Sequence, residues 1–397
     1  MKLAARVLKI KPSETLAITA KVNALRAQGR DVIGFGAGEP DFDTPANVKE
    51  AAIKAIEAGF TKYTAVSGTD ELKDAIIAKL KRDNDLEYKR SQIVVSCGAK
   101  HTLYNLAQSL FEPGDEVIIP APYWVSYPDI VVLSGADPVI INTSEKDGFK
   151  IKPQQLKSAI TGRTRALIIN SPSNPTGAVY SREELAALAP VLLDKDILII
   201  TDDIYEKILY AKFPFANMAT VERKLIDRTI VVNGVSKAYA MTGWRIGYAA
   251  GPDEIVAAIS KIQSQNTSNP ASISQKAALA ALEGDQTVVG MMTAEFQKRR
   301  DVIVQALNDI PGIKCPLPDG AFYVFPNVAQ LYGRSYKGGK ITSSTELIDY
   351  LLDAANVAAV PGAAFGSDDH IRLSYATSLK NIETGLKRMK EAISGLD

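Results

Sequence analysis

Reactive and anion-binding residue types follow four short apolar runs of the sequence. The polar segments concerned are 96–100, 170–177, 202–205 and 233–237. Between them they supply the amine, carboxylate, amide and hydroxyl groups that bind anions and act as acids and bases. Functional groups of an open α/β sheet lie at the carboxyl ends of its strands, so these segments together form the candidate site.

Taken singly, each segment also has an ordinary structural explanation. Gly98 is typical of a tight turn between strand and helix, although the first N–H groups of the helix can also receive an anion. The pair 202–203 can cap a following helix, and Lys237 can be an exposed lysine. Residues 174–177 are expected to form a turn whatever the function. In residues 243–245, Trp244 can simply pack in the core. The individual residues leave the function open.

The elements that position these segments alternate between strand and helix from about Val48. Helical stripes are centred on 72–80 and 103–110, and Ser181 with Glu184 predicts a capping box. Continuous apolar strands alternating with helices predict an α/β fold in which helices cover both faces of a mostly parallel sheet. The predicted strands are 93–95, 117–119, 139–141, 166–169, 197–201, 229–232 and 246–250.

The C-terminal part of the sequence has a different pattern. Residues 279–307 are predicted as one connecting helix. Strands at 321–325 and 370–375 and helices at 347–355 and 380–393 follow it. We expect a large domain over residues 48–283 and a smaller α+β domain formed by residues 1–47 together with 284–397.

Composition excludes several function classes. The 46 Lys and Arg residues balance 45 Asp and Glu, so no basic excess indicates a nucleic-acid or membrane-surface partner. Cys97 and Cys315 have no CxxC spacing, and His101 and His370 have no metal-ligand spacing. No apolar stretch reaches the length of a signal peptide or a membrane span. We expect a soluble cytoplasmic protein without a metal.

Taken together, the segments resemble the fold-type I pyridoxal-phosphate aminotransferases. Lys237 follows Asp202 by 35 residues, and Arg245 follows Lys237 by eight within Gly-Trp-Arg. Asn-Pro-Thr-Gly precedes them at 174–177. The resemblance covers essentially the whole chain, from Lys11-Pro12-Ser13 and residues 37–45 to residues 372–376, and is greatest to the bacterial subgroup of aspartate aminotransferases.

This resemblance implies roles around pyridoxal 5′-phosphate. Lys237 matches the lysine that holds the cofactor as a Schiff base and then moves the substrate proton. Asp202 matches the carboxylate that keeps the ring nitrogen protonated. Tyr205 and Asn174 match partners of the ring 3′-oxygen, and Trp124 matches the aromatic residue stacked on the ring.

The resemblance also implies a phosphate site shared between two subunits. Arg245 matches the phosphate-binding arginine, helped by the backbone of Ala99 and Lys100. Tyr63 matches a phosphate ligand that reaches over from a second subunit, so we expect a homodimer. The family often has serine three residues before the lysine, whereas this chain has Gly234; Ser236 is the candidate replacement.

For the substrate, Arg372 matches the arginine that binds the α-carboxylate, assisted by Asn174 and the Gly38 amide. Animal relatives bind the side-chain carboxylate with an arginine of the partner subunit, but residues 263–270 contain none. Lys100 is the candidate second cation. The remaining candidates of the substrate pocket are Trp124, Thr15 and Lys11.

The expected reaction is amino transfer from aspartate to 2-oxoglutarate, giving oxaloacetate and glutamate in a ping-pong cycle. Prephenate or aromatic amino-acid transamination is the alternative activity. A nicotinamide-dependent dehydrogenase is disfavoured, since the glycines of 34–38 lack the G-x-G-x-x-G spacing. A regulator that binds the cofactor is also disfavoured, because such regulators carry an additional DNA-binding domain for which we expect no room in this chain. Lyases and decarboxylases of the same fold fit the complete set of motifs less well.

Overall fold

The computed structural model describes residues 2–397, in which strands and helices alternate over the first two thirds of the chain. The strands are β1 (Ile33–Gly34), β2 (Ile93–Ser96), β3 (Glu116–Ala121), β4 (Asp137–Asn142), β5 (Thr164–Asn170), β6 (Leu198–Asp202), β7 (Thr229–Gly234), β8 (Gly247–Ala250), β9 (Tyr323–Val324), β10 (Ser335–Tyr336), β11 (Gly339–Lys340), β12 (Val357–Ala358), β13 (Val360–Pro361) and β14 (Ile371–Ser374).

The helices of the described residues range from one turn to six. They are α1 (Ala5–Leu8), α2 (Glu14–Ala27), α3 (Ala46–Glu57), α4 (Asp70–Asn84), α5 (Ala99–Leu110), α6 (Ser126–Ser134), α7 (Pro153–Ala159), α8 (Arg182–Leu193), α9 (Met218–Val221), α10 (Asp253–Ser264), α11 (Ser272–Glu283), α12 (Thr287–Asn308), α13 (Ser344–Ala355) and α14 (Leu379–Ser394).

The main sheet contains the seven strands predicted from apolar runs, in the order β2-β8-β7-β6-β5-β3-β4. The neighbours from β7 to β4 are parallel, whereas β8 runs antiparallel to both β7 and β2. Strands such as β2 and β7 are buried at every position, as continuous apolar runs require when both faces are covered. The predicted α/β fold with a mostly parallel sheet is confirmed.

Local capping signals place the helices that flank the sheet. The Thr69 hydroxyl accepts the N–H of Leu72 at the start of α4. At α8, Ser181 Oγ accepts the N–H of Glu184 and the Glu184 carboxylate accepts the N–H of Ser181, which completes the predicted capping box.

The single helix predicted over 279–307 is wrong, since α11 and α12 are separate. Gly284 ends α11 in extended backbone, and the Asp285 carboxylate accepts both the N–H and the hydroxyl of Thr287. This cap opens a new helix. Apolar periodicity continues across the break because both helices bury residues, which hid the boundary in the sequence.

The remaining strands form small sheets outside the main one. Strand β1 pairs in parallel with β12, and β13-β14-β9 form an antiparallel sheet that carries Arg372. A core cluster built mostly from residues 292–396 also takes in Ile33, Phe35 and Tyr205. N-terminal and C-terminal segments are therefore hydrogen-bonded together, while the exact domain boundaries stay a prediction. Within residues 2–397, no helix has the length and apolar character needed to cross a membrane.

Candidate active site

A cavity of about 390 Å³ opens at the carboxyl ends of β5, β6 and β7. Its size suits a cofactor together with a small substrate. The cavity gathers predicted site residues from segments that are far apart in sequence. Those that line it are Thr15, Gly38, Ala99, Lys100, Trp124, Asn174, Asp202, Tyr205, Ser236, Lys237, Arg245 and Arg372.

Lys237 projects into this cavity from the loop after β7. Its ammonium donates a hydrogen bond of 2.5 Å to the carbonyl of Gly38. Burial lowers the pKa of Lys237 to about 8, although Glu39 acts in the opposite direction. An amine with this pKa changes its protonation near neutral pH, as a proton carrier must.

Asp202 ends β6 and is almost completely buried. Burial raises its pKa to about 6, while a hydrogen bond of 2.6 Å from the Tyr127 hydroxyl to Oδ2 favours the ionised form. The charge of Lys237 also lowers the pKa of Asp202, but within residues 2–397 no cation donates a hydrogen bond to this carboxylate. A protonated ring nitrogen would supply that contact.

Tyr205 lies three residues beyond Asp202, and its hydroxyl is 2.8 Å from the hydroxyl of Tyr323. Both phenols are buried, which raises the pKa of each. The Tyr323 ring also lies under the guanidinium of Arg372, 4.6 Å from its centre. Tyr323 therefore contacts both Tyr205 and Arg372.

Arg372 on β14 is 1% exposed, and within residues 2–397 one of its three nitrogens has no hydrogen-bond partner. One terminal nitrogen donates to Asn174 Oδ1 at 3.0 Å and the other to the Gly36 carbonyl at 2.7 Å. Its Nε has no protein partner among residues 2–397. Burial lowers the pKa of this guanidinium, so an anion at the cavity wall would relieve an uncompensated charge.

Asn170, at the end of β5, holds the Asn174 loop against β6. Its Oδ1 accepts the N–H of Asn174 at 2.8 Å and its Nδ2 donates to the Asp202 carbonyl at 2.8 Å. This single side chain fixes the spacing between the two predicted cofactor contacts.

The other end of the cavity is built for an anion. Helix α5 begins after Gly98, whose φ of +90° is a left-handed conformation. A Cβ on Gly98 would lie 2.4 Å from the Arg245 guanidinium, so only glycine permits this approach. Arg245 donates to the Thr242 and Cys97 carbonyls and is held beside the free N–H groups of the helix start.

Close packing explains why Gly234 replaces the serine of the family. Gly234 pairs with Gly247 across β7 and β8. A Cβ on Gly234 would lie 2.8 Å from the Ile246 carbonyl, and one on Gly247 would lie 2.2 Å from the Ala99 nitrogen. No side chain fits at position 234. Ser236 lines the cavity instead.

Lys100 and Trp124 form the wall nearest the opening. The Lys100 ammonium lies 5.0 Å from the centre of the Trp124 ring. Lys100 remains open to solvent on one side, yet desolvation on its protein side, followed by the charge of Arg245, lowers its pKa. Thr15, at the start of α2, lines the same cavity.

Three expected contacts stay predictions in the single chain. Lys11 and Tyr63 do not line the cavity, and Tyr63 is 90% exposed. The Gly38 carbonyl accepts a hydrogen bond from Lys237, and the expected contact of the Gly38 amide with the substrate stays a prediction.

Sequence reasoning missed Tyr127, Tyr323 and Asn170. Tyr127, in the first turn of α6, lies three residues after Trp124, and this spacing is the available signal. Tyr323 had no signal of its own, because its role depends on contact between β9 and the loop after β6. Asn170 directly follows the predicted strand 166–169, and nothing in the sequence distinguishes it from the other residues of the loop.

The residues present fit pyridoxal phosphate. The cavity offers an amine of lowered pKa, a buried carboxylate, an aromatic wall and a glycine-lined anion cradle. These groups would meet an aldehyde, a ring nitrogen, a ring face and a phosphate. No group of His, Cys, Asp and Glu residues suited to holding a metal ion occurs within residues 2–397.

Comparison with known proteins agrees with this geometry. The family model for aminotransferase class I and II matches residues 30–389. An aspartate/prephenate aminotransferase of Nitrosomonas europaea is 54% identical, covering 99% of this chain and 100% of the relative, and the Bacillus subtilis aspartate aminotransferase is 49% identical, covering 99% of each.

Solved structures extend the similarity to the fold. The aspartate aminotransferase of Rhizobium meliloti superposes with a TM-score of 0.97 at 48% identity, covering 100% of both chains. The Thermus thermophilus aspartate aminotransferase with maleate gives 0.93 at 42%, covering 99% of this chain and 100% of that one. The chain belongs to the class I and II aminotransferases, enzymes of fold type I that use pyridoxal phosphate.

Proposed function

We propose that this aminotransferase moves the amino group of aspartate to 2-oxoglutarate at the cavity around Lys237. The observation that carries the proposal is the buried Arg372, which lines the same cavity as a second cation, Lys100, and whose two terminal nitrogens are anchored by Asn174 and Gly36. Two cations that line one cavity suit a substrate with two carboxylates. A relative from Thermus thermophilus was solved with maleate, which is a dicarboxylate.

In this proposal the chain's own residues orient the substrate and move its proton. Arg372 binds the α-carboxylate, and Asn174 holds the guanidinium in place. This fixes the Cα–H bond relative to Lys237, which would hold the cofactor through its amine and then carry the proton. When bound, pyridoxal phosphate supplies the electron sink for the amino acid. Asp202 would keep the ring nitrogen protonated.

The phosphate would be held by Arg245, Ser236 and the backbone of Ala99 and Lys100. Tyr205 would donate to the 3′-oxygen, and Trp124 would cover the ring face. These assignments rest on the matching motifs and on the common cavity.

We further infer a homodimer in which Tyr63 reaches the partner's phosphate site. A tyrosine that is 90% exposed, close in sequence to Ile53 and Ile56 with 53% exposure each, is unusual on a free surface. Like Tyr63, Lys11 does not line the cavity of its own subunit. Mixing Lys237→Ala with Tyr63→Ala subunits tests the sharing, because a mixed dimer contains one site without either change. Recovery of about one quarter of the wild-type activity is expected, and no recovery would contradict the shared site.

We also propose the division into residues 48–283 and residues 1–47 with 284–397, the smaller part closing over the substrate. A cytoplasmic location is inferred from cysteine usage, since Cys97 and Cys315 are both free.

The substrate proposal has one serious alternative. Two relatives at 54% and 52% identity are named aspartate/prephenate aminotransferases. Prephenate also has two carboxylates, and a lysine tolerates different shapes better than an arginine fork does. A panel of amino donors and keto acids, with prephenate and aromatic amino acids included, compared by kcat/KM, decides between them. Aspartate with 2-oxoglutarate is expected to rank first.

The attachment site has its own test. Borohydride reduction of the enzyme with its cofactor, followed by peptide mapping, should label Lys237. Lys237→Ala should bind the cofactor without turnover. A label on another lysine would overturn the whole assignment.

A further inference from the structure

A buried ion pair lies behind the strand ends that carry Asp202 and Tyr205. The Lys79 side chain on α4 is 3% exposed and contacts the Glu206 carboxylate, whose side chain is 5% exposed. Neither residue lines the cavity. Neither has a part in the binding or proton transfer described above.

Both members of this ion pair make further hydrogen bonds to buried or half-buried side chains. Glu206 Oε1 also accepts from Asn233 Nδ2 at 3.0 Å, and Oε2 accepts from Asn84 Nδ2 at 2.7 Å. Lys79 also donates to Asn84 Oδ1 at 2.7 Å. One carboxylate therefore joins three elements: α4, the turn after β6 and the end of β7.

Two of these elements carry the predicted catalytic groups. Glu206 directly follows Tyr205, and its N–H donates to the Asp203 carbonyl at 2.9 Å. Asn233 lies four residues before Lys237, and its Oδ1 accepts the N–H of Gly234 at 2.7 Å. The position of Glu206 thus sets the distance between the turn 202–206 and the loop 234–237.

The energetics of a buried pair indicate a purpose other than stability. Removing two charges from water is costly, and an apolar pair of similar volume often stabilises a protein as well. Directional contacts from three donors to the Glu206 carboxylate, in contrast, define one geometry. We propose that Lys79 and Glu206 are positioning residues for amino transfer, which fix Asp202 and Tyr205 relative to Lys237. This rests on the proposed roles of those three residues.

The test removes the pair without changing net charge. Lys79→Met/Glu206→Leu should fold and bind pyridoxal phosphate. Its kcat should fall about tenfold to hundredfold, the scale of a small misplacement of reacting groups, while KM for the amino donor changes little. The pH midpoint of the bound cofactor's absorbance change should also move, because that absorbance reports the contacts to the ring.

A second ion pair between the same elements provides the control. Lys207 Nζ lies 2.8 Å from Asp83 Oδ2 and is 30% exposed, and Asp83 contacts Lys79 only at 4.0 Å. Asp83→Asn/Lys207→Met also conserves net charge but leaves Glu206 bound to Asn233. This variant should keep the wild-type kcat and absorbance midpoint.

Three outcomes decide the inference. A wild-type kcat and midpoint in Lys79→Met/Glu206→Leu overturns it. A lower melting temperature with an unmoved midpoint also overturns it, because a merely structural pair would behave in that way. If the double variant does not fold, Asn233→Ala must move the midpoint, and an unmoved midpoint overturns the inference. Asp202→Asn, measured in parallel, separates the positioning role of Lys79 and Glu206 from the proposed role of Asp202. If Asp202→Asn leaves kcat and the absorbance midpoint unchanged, the proposed role of Asp202 is wrong.

Discussion

The Tyr127 hydroxyl donates a hydrogen bond of 2.6 Å to Oδ2 of Asp202, and both groups are buried. Helix α6 thereby controls a carboxylate at the end of β6. Burial alone would favour the protonated acid, whereas a bond to the charged form favours the carboxylate. The ionisation of Asp202 depends on a tyrosine that is 75 residues away in sequence.

Replacing this tyrosine should move the acid limb of the activity profile. Tyr127→Phe removes the bond that lowers the pKa of Asp202, so that pKa rises and the carboxylate is lost at a higher pH. We expect kcat to fall about tenfold at neutral pH, the scale of a hydrogen bond to a charged group, and the acid limb to shift to higher pH. A kcat–pH profile measures both. Tyr123→Phe, one turn earlier and without a bond to Asp202, should leave the profile unchanged; an equal shift there would contradict the explanation.

The adjacent carboxylates Asp202 and Asp203 should behave differently. Asp202→Asn should lower kcat by about 10²- to 10³-fold, as for loss of a preorganised charge. Asp203 faces Asn217, whose Nδ2 donates to it at 2.5 Å, and lies outside the cavity. Asp203→Asn should keep most of the activity.

Asp203→Asn should also keep or raise the melting temperature at neutral pH. Burial, then Glu206, raise the pKa of Asp203 well above its ordinary value of 3.8. The unfolded chain therefore releases this proton first, and ionisation increasingly favours unfolding as the pH rises from 3.8 towards the folded-state pKa. Asparagine does not ionise, so Asp203→Asn avoids this loss of stability.

Equal losses of kcat in Asp202→Asn and Asp203→Asn would contradict the position of Asp203 outside the cavity.

His101 should make the phosphate loop sensitive to acid. Its Nδ1 accepts the N–H of Cys97 at 3.1 Å, so the ring must be neutral. Burial, and then Arg245, lower its pKa below the ordinary 6.5, while Asn266 acts in the opposite direction. As the pH falls below 6.5 the unfolded chain binds a proton that the folded chain does not, and stability decreases.

The matching measurement is the melting temperature of the enzyme with its cofactor as a function of pH. His101→Asn keeps an acceptor at a similar position but cannot be protonated, so its melting temperature should fall less than that of the wild type below pH 6.5. Parallel curves for both proteins would assign the acid sensitivity to other groups.

Lys100 should select dicarboxylic substrates. Lys100→Ser should lower kcat/KM for aspartate by about tenfold to a thousandfold, corresponding to loss of a charge-assisted contact. Alanine has no side-chain carboxylate, so its kcat/KM should hardly change. A parallel loss for alanine would mean that Lys100 serves the phosphate or the fold.

Helix α2 should close over a bound dicarboxylate. Leu16 lines the cavity but is 65% exposed, which indicates that its final contact is made only when ligand is present. Hydrogen exchange in residues 14–27 should slow on adding maleate, while α8, which contributes no residue to the cavity, should not change. Unchanged exchange in both helices would count against closure.

The sequence by itself determined the main sheet and most of the candidate site. All seven strands of the sheet are predicted by apolar runs. Strands such as β2 and β7 are apolar because both of their faces are covered, whereas the edge strand β4 is only partly buried. The candidate roles of Lys237, Asp202 and Arg245 come from the resemblance of their sequence motifs to the aminotransferase family, since each motif is a short continuous segment. Local caps such as Ser181 with Glu184 were equally predictable, since both partners lie within one turn.

Only the tertiary structure decided which side chains support these groups. Tyr127, Tyr323 and the pair Lys79–Glu206 act across separate elements, and no local pattern distinguishes them from other buried residues. The break between α11 and α12 was hidden because both helices keep an apolar face. In the sequence, Gly234 indicates the loss of a phosphate contact made by serine in the family. The packing of β7 on β8 shows that no side chain fits at this position. Spacing along the chain records which residues are near in sequence, whereas these contacts depend on the order of strands in the sheet, which sequence periodicity does not encode.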